Sequence, residues 1–292
     1  MAVRRIAVSR RGDLVRAALL EGDHLAEFCL WNLAKPDGVG DVYTGRVTAK
    51  LPAMAGAFVD LGSEAGFLPD SAGGAKLSEG DYAAVRVMRA AQGGKGPRLG
   101  LAEGPVGDKP GLLARGEGPL LELCARFETA PVLIDDYELI AELRGALAGR
   151  VSPQAVTFDA VLEDQVAGLF LPSADLGQGA MMHIAATAAL TAIDVDAGGA
   201  SAARAAKPAA QLAFNLVVVP EIARQIRLRN LSGAILIDFA GMKAAARQRL
   251  TAPLVAALRN DILRPKFFGF SHLGFAEISR PRVRPPLHEM MK

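Results

Sequence analysis

Two acidic strand ends, far apart in the sequence, constrain this 292-residue chain more than any other feature. In TAIDVDAGG (Thr191 to Gly199), apolar Ile193 and Val195 alternate with Asp194 and Asp196. Successive side chains of a strand point to opposite faces, so the two acids share one side and the two apolar residues the other. In LSGAILIDFAGM (Leu231 to Met242), the run Ala234 to Ile237 reads as a buried strand that stops at Asp238. Paired in one sheet, the two strands deliver three carboxylates to one edge. Such a cluster suits a hard cation such as Mg²⁺, which takes oxygen ligands, keeps several waters, and can activate one of them or hold a phosphate. The same residue types also serve ordinary turns and helix caps.

Composition bounds the remaining possibilities. Hydrophobic residues make up 51% and charged residues 22%, enough apolar surface for a core and against a disordered chain. The length suggests two or three compact units. A net charge of +2 excludes a uniformly basic nucleic-acid binder, so any nucleic-acid affinity comes from local patches. Cys29 and Cys124 are far apart and form no CxxC pair, which argues against a disulfide scaffold or a thiolate metal site. His24, His183, His272 and His288 show no close pairing and read as structural. No apolar run of transmembrane length and no signal-type segment is found, and a cytoplasmic, membrane-free protein is expected. Arg4, Arg5, Arg10 and Arg11 mimic a transit peptide, but Val3 and Ile6 to Val8 read better as a first strand.

Taken in order, Arg4 to Ser9, Leu14 to Leu20 and His24 to Trp31 read as a three-strand meander, with turns at Gly12-Asp13 and Glu21 to Asp23. From Gly40 to about Leu101, short alternating runs punctuated by Gly and Pro predict a small antiparallel barrel. Glu103 to Gly118 reads as a loop or hinge. Beyond it the pattern predicts a helix at Leu120 to Arg126, a strand at Pro131 to Ile134 and a helix at Asp136 to Ala148. A strand at Thr157 to Leu162 and a short helix at Val161 to Val166 follow. Glu221 to Asn230 reads as a helix with Ile222 and Ile226 inward, and Pro253 kinks or divides the helix after Met242. Basic residues gather around the acidic strands: Arg224, Arg227 and Arg229, then Arg247 and Arg249, then Arg280, Arg282 and Arg284. Charges on a helix usually mark a solvated face, yet a polyanionic backbone needs such a cluster.

The order IDVDAGG, then EIARQIRLRNLSGAILIDFAGM (Glu221 to Met242), then GFSHLGFAEISRPRVRPPL (Gly269 to Leu287) resembles the catalytic region of the bacterial ribonuclease E/G family. The resemblance implies an α+β, multidomain fold: an RNase-H-like domain interrupted by a five-stranded OB-fold barrel, then a DNase-I-like α/β catalytic subdomain. The corresponding boundaries are 1–39 and 103–173 for the RNase-H-like parts and a shortened sensor region, 40–102 for the barrel, and 174–292 for the catalytic subdomain. It also implies a metal-dependent endoribonuclease acting on single-stranded RNA. Asp194 and Asp238 match the family's two metal-binding aspartates, for Mg²⁺ or alternatively Mn²⁺, and Asp196 assists or modulates them. Phe58 and Phe67 match aromatic positions on which such barrels stack bases, although barrel aromatics also pack inward. Lys95 and Arg98 lie in the GGKGPR loop, where they meet phosphate. Arg224, Arg227, Arg229 and Arg280 are the expected RNA contacts beside the acidic site. Of the aromatics in FFGF (Phe267 to Phe270), one or two are expected in the core.

Three departures from the family pattern stand out. No Arg-Thr dipeptide of the kind that reads a 5′-monophosphate occurs in the sequence, so that preference is expected to be weak or absent. No cysteine follows Cys124, so neither a structural zinc nor a zinc-linked dimer is expected, and oligomeric state stays open. Asp196 stands where relatives usually carry Asn, exchanging an amide that donates and accepts for a second negative charge. That exchange keeps an alternative in play: a catalytically weak or inactive RNA-binding protein.

Overall fold

The computed structural model describes residues 3–147, 149–177, 179–198 and 208–290. Gly199, which ends the acidic motif, and Ala148 lie outside the described residues. Strands β1 (Arg4–Arg11), β2 (Leu14–Glu21) and β3 (His24–Asn32) form the expected meander. Next come β4 (Val42–Leu51), β5 (Gly56–Asp60), β6 (Ala65–Pro69), β7 (Tyr82–Arg89) and β8 (Arg98–Leu101). Because β4 pairs with both β5 and β7, while β8 bridges β7 and β6, these five close into a barrel. Closure removes the free edges that alternating strands would otherwise expose. Val47, Val59, Leu68, Val85, Val87 and Leu99 fill its interior.

The segment read as a hinge contains a strand, β9 (Gly111–Ala114), which adds to the outside of β4. Its residues are half-buried to exposed, so hydrogen bonding rather than an apolar pattern defines it, and the sequence carries little trace of that. Helix α1 (Gly118–Arg126), β10 (Val132–Ile134), helix α2 (Tyr137–Leu147), β11 (Val151–Pro153) and helix α3 (Ala160–Gly168) follow. Strands β10 and β11 return to the first sheet, whose order is β11-β10-β1-β2-β3, with β10 parallel to β1 and β2 antiparallel to it. Ile6, Val8, Val15 and Leu19 face α1 and α2, while Ala7, Ala18 and Leu20 face α3. The expected strand at Thr157 to Leu162 is absent. Asp159 caps α3 there, its carboxylate accepting from the Leu162 amide at 2.9 Å, so local capping wins over the apolar alternation.

Arg16 on β2 grips Glu163 of α3 with two hydrogen bonds of 2.7 and 2.9 Å. Those bonds hold the Glu163 carboxyl below its usual range, burial opposes them, and the charges of Arg16 and Arg11 add to the lowering. Its contribution to stability is therefore present above the ordinary carboxylate pKa of about 4.3 and is lost as pH falls through the lowered folded value. Replacing Glu163 with Gln is expected to flatten the acid-side loss of stability, read from urea midpoints between neutral and acid pH. An unchanged acid slope would contradict this role.

The third sheet is built from β12 (Ser173–Gly177), β13 (Ala180–Ala186), β14 (Leu190–Asp196), β15 (Gly233–Asp238), β16 (Lys266–Phe270) and β17 (Ala276–Arg280), in the order β12-β13-β14-β15-β17-β16. Helix α4 (Pro208–Leu228) belongs to the crossover between the parallel strands β14 and β15. This helix starts well before the expected Glu221 and runs through Pro220. Proline removes one backbone bond from a helix interior. Burial of Val218, Val219, Ile222 and Ile226 against Ile193, Ile235 and Ile237 offsets that loss, at about 1.5–3 kcal/mol for each large side chain. After Met242 the chain forms two short helices, α5 (Ala244–Arg247) and α6 (Thr251–Leu258). Pro253 sits in the first turn of α6, where its missing amide is tolerated, so the helix is divided rather than kinked. A last short helix, α7 (Leu287–Met290), closes the described chain. No helix among the described residues is long and apolar enough to cross a membrane.

Candidate active site

The register of the third sheet assembles the acidic residues. Asp194 and Asp238 are direct neighbours on the parallel strands β14 and β15, each at or near the carboxyl end of its strand. Ile193, Val195, Ile235 and Ile237 are buried on the opposite face, so alternation turns Asp194, Asp196 and Asp238 outward, and all three are exposed. Among the described residues neither Asp194 nor Asp238 has an ion pair or a side-chain hydrogen bond. Two like charges at adjacent register positions destabilise a sheet, which makes this pair a cost to the fold. Asp196 is engaged locally: one carboxylate oxygen accepts from the Gly198 amide at 2.8 Å, shaping the turn after β14.

The pairing also recruits residues that no local pattern singles out. His183 lies opposite Asp194 on β13, so the row across the sheet runs His183, Asp194, Asp238. The imidazole read as structural is exposed on the acidic face. Glu277 on β17 pairs with Leu236 and so belongs to that face as well. Only strand register reveals either residue.

Packing fixes the loop beyond Asp238. Buried Asn215 of α4 donates to the Ala240 carbonyl at 3.1 Å, tying the chain after β15 to the helix beneath. Arg247 lies across Gly274 in the turn between β16 and β17. A Cβ at Gly274 would stand 2.3 Å from the Arg247 guanidinium carbon, and φ there is +97°. Gly274 therefore admits a cation close to the strand end that carries Ala276, the partner of Ile237.

The four arginines expected beside the acids are occupied elsewhere. Helix α4 covers the buried face of the third sheet, and Arg224 and Arg227 reach from it to β3. Arg224 pairs with Glu221 at 2.7 Å and donates to the Leu25 carbonyl, and Arg227 pairs with Glu27 at 2.9 Å. Arg229 is buried and donates to the carbonyls of Gly168 and Ser173 at 2.7 and 3.2 Å. Burial, helped by the charge of Arg224, pushes its pKa down to about 10. Arg280 is buried against Asp261 at 2.6 Å and also donates to Asn230. These side chains hold the parts of the molecule together, and they do not converge with Asp194 and Asp238.

The barrel residues lie on its outer surface. Phe58 is 40% exposed and pairs across β5 and β6 with half-buried Phe67, the rings edge to face at 6.0 Å. Arg98 is the backbone partner of Phe67 and is exposed, as is Lys95 in the adjoining turn. Phe58 therefore faces solvent rather than the barrel core. In FFGF, Phe267 and Phe270 pack against the core, and Phe268 is 67% exposed.

Among the described residues no three of His, Cys, Asp and Glu are gathered closely enough to cage a metal ion. The donor set at Asp194 and Asp238 is instead a pair of exposed carboxylates, unpartnered among the described residues. That fits an ion such as Mg²⁺, which is commonly held by one or two carboxylates and keeps its waters.

Comparison with known proteins places this edge in a lineage. The family model described as "Ribonuclease E/G family" matches residues 135–283, which span both acidic strands and the helix between them. The chain belongs to the ribonuclease E/G family. Ribonuclease E of Escherichia coli is 37% identical over 129 residues, 44% of this chain and 12% of that protein. Ribonuclease E of a Nostoc species is 36% identical over 120 residues, 41% of this chain and 17% of that protein. Ribonuclease G of E. coli is 31% identical over 157 residues, 53% of this chain and 32% of that protein. The matched segments thus span at most about a third of these ribonuclease E/G relatives.

Proposed function

We propose that this chain is a divalent-metal-dependent endoribonuclease that cuts single-stranded RNA at the Asp194–Asp238 edge. The observation that carries the reading is the register that sets these two carboxylates side by side, exposed and without a cation partner among the described residues. Asp194 and Asp238 would hold Mg²⁺, or Mn²⁺ in its place. Bound there, the ion supplies charge for the scissile phosphate and lowers the pKa of a coordinated water. Asp196, fixed by the Gly198 amide, keeps one carboxylate oxygen for outer hydrogen bonds. Arg247 offers positive charge near the same strand ends, where charge develops in phosphodiester cleavage. Phe58, Phe67, Lys95 and Arg98 give the barrel a face on which an unpaired strand stacks and pairs its phosphates.

The domain reading follows the same line. The first sheet, with one antiparallel meander and two parallel strands added beside β1, supports an RNase-H-like unit, interrupted by the barrel over roughly residues 40–102. The mixed third sheet supports a DNase-I-like catalytic subdomain over 174–292.

The test is cleavage of an end-labelled, unstructured RNA by purified protein, with Mg²⁺ and with chelator. Internal cuts that need Mg²⁺, and weak cutting of the matched duplex, are expected. A protein that binds this RNA yet leaves it intact with both Mg²⁺ and Mn²⁺ would instead be the RNA-binding relative that Asp196 keeps in view.

A further inference from the structure

The seam between the barrel and the third sheet carries three cations with no acid among the described residues to balance them. Arg89 ends β7 and is the register partner of Arg98 on β8. The amide of the next residue, Ala90, donates to the Val283 carbonyl at 2.8 Å, which docks the barrel on the segment after β17 and brings Arg282 to the same place. The Arg282 guanidinium lies over Gly233, where a Cβ would stand 2.4 Å from its nitrogen, at the start of β15. Among the described residues none of the three has an ion pair or a side-chain hydrogen bond, and the Arg89 Nε is buried without a partner. Burial lowers the Arg89 pKa, and the charges of Arg98 and Arg282 lower it further. Elsewhere in the molecule the chain balances such charges: Arg284, two residues beyond Arg282, is held by Asp37 at 2.7 Å and Glu122 at 2.7 Å.

Position says what the uncompensated charge is for. Arg98 adjoins Phe67, which meets Phe58, so the cations continue the aromatic face of the barrel. At the other end, the Arg282 guanidinium covers Gly233, which opens β15, the strand that finishes at Asp238. We propose that Arg89, Arg98 and Arg282 form a phosphate-binding relay that carries a single-stranded RNA backbone from the barrel to the catalytic sheet. Three guanidiniums in a row match the repeating charge of a nucleic-acid backbone, and their mutual repulsion is relieved when phosphates enter between them. Arg89 ends β7 and Arg282 lies in the segment after β17, about two hundred residues apart in sequence, so neither half of the chain builds the relay alone. The inference rests on the RNA-directed reading above.

The experiment is anisotropy titration of a short, labelled, unstructured RNA with the whole chain, over a series of KCl concentrations and with chelator to prevent cutting. The variants are Arg89→Gln, Arg98→Gln, Arg282→Gln and the triple. Each lost phosphate contact is expected to reduce the slope of log affinity against log salt by about 0.7, and the triple variant by about 2. Melting temperatures should hold or rise, because repulsion is removed. Wild-type binding with unchanged slopes in all variants would overturn the relay and leave the RNA reading standing. Lower melting temperature with unchanged affinity would assign these arginines to structure and overturn it equally. Arg282 is exposed, so its variant remains informative if the half-buried Arg89 site resists substitution. No RNA binding by the wild type at any salt would overturn both readings, and binding of polyglutamate as tightly as RNA would transfer the surface to an acidic protein partner.

Discussion

Asp238→Ala is expected to lower the rate of RNA cleavage by on the order of 10³-fold, and Asp194→Ala by a similar factor. On the proposed mechanism, losing one of two carboxylates would remove the means of holding the ion, a loss of about 4 kcal/mol in transition-state stabilisation. The same variants should fold at least as stably as the parent. Each aspartate is exposed and makes no ion pair or side-chain hydrogen bond among the described residues, and each faces a like charge across the strand pair. A surface site without such features usually changes stability by no more than about 0.5 kcal/mol, and here the change should be favourable. Cleavage is read as rate per enzyme under Mg²⁺, and stability by urea unfolding of the same preparations. Calorimetry adds a third measure: a heat signal on Mg²⁺ addition that Asp238→Ala abolishes. Wild-type rates in both variants would remove this edge as the catalytic site. A large loss of stability would show the aspartates to be structural instead.

The second large effect concerns stability alone. Arg280→Ala is expected to destabilise the protein by about 3–5 kcal/mol, because it strands Asp261 as a buried charge without its cation. Both partners are almost wholly buried, at 3% exposure each, and the guanidinium also satisfies Asn230 at 2.6 Å and the Leu231 carbonyl at 3.2 Å. Replacing the pair together, Arg280→Met with Asp261→Leu, should recover much of that loss, since well-packed apolar residues often equal a buried ion pair. A single variant of near-normal stability with weakened RNA binding would return Arg280 to the role suggested by its place in the basic closing segment. Urea unfolding and RNA titration of the same protein separate the two outcomes.

The contrast between these residues shows how sequence and structure divide the information. Asp194 and Asp238 were legible because alternation assigns each a face and a strand end, and those are local properties of a few residues. The meander and the barrel were legible for the same reason, through short apolar runs broken by turn residues. Helix α4 was legible only in part: it was read from Glu221, and the burial that carries it through Pro220 comes from a sheet formed by other segments. Strand β9 was missed because its pairing with β4 leaves little mark on its own pattern of exposure.

Arginine positions were visible in the sequence, but their partners were not. Arg224, Arg227, Arg229 and Arg280 form a conspicuous basic series, yet each is held by a carbonyl or carboxylate, several of them distant in the chain. Arg89 drew no attention, Arg282 was read only as part of the basic closing segment, and the two meet because Ala90 docks on Val283. His183 stands in the acidic row solely through the register of β13 on β14. By itself, then, the sequence determined which residues lie on which face of each strand and the family to which those strands belong, because alternation and local motifs act over a few residues. The tertiary structure alone decided which charges are neutralised and which remain free to meet a ligand, because Coulombic and hydrogen-bond partners are set by distance in space and not by separation along the chain.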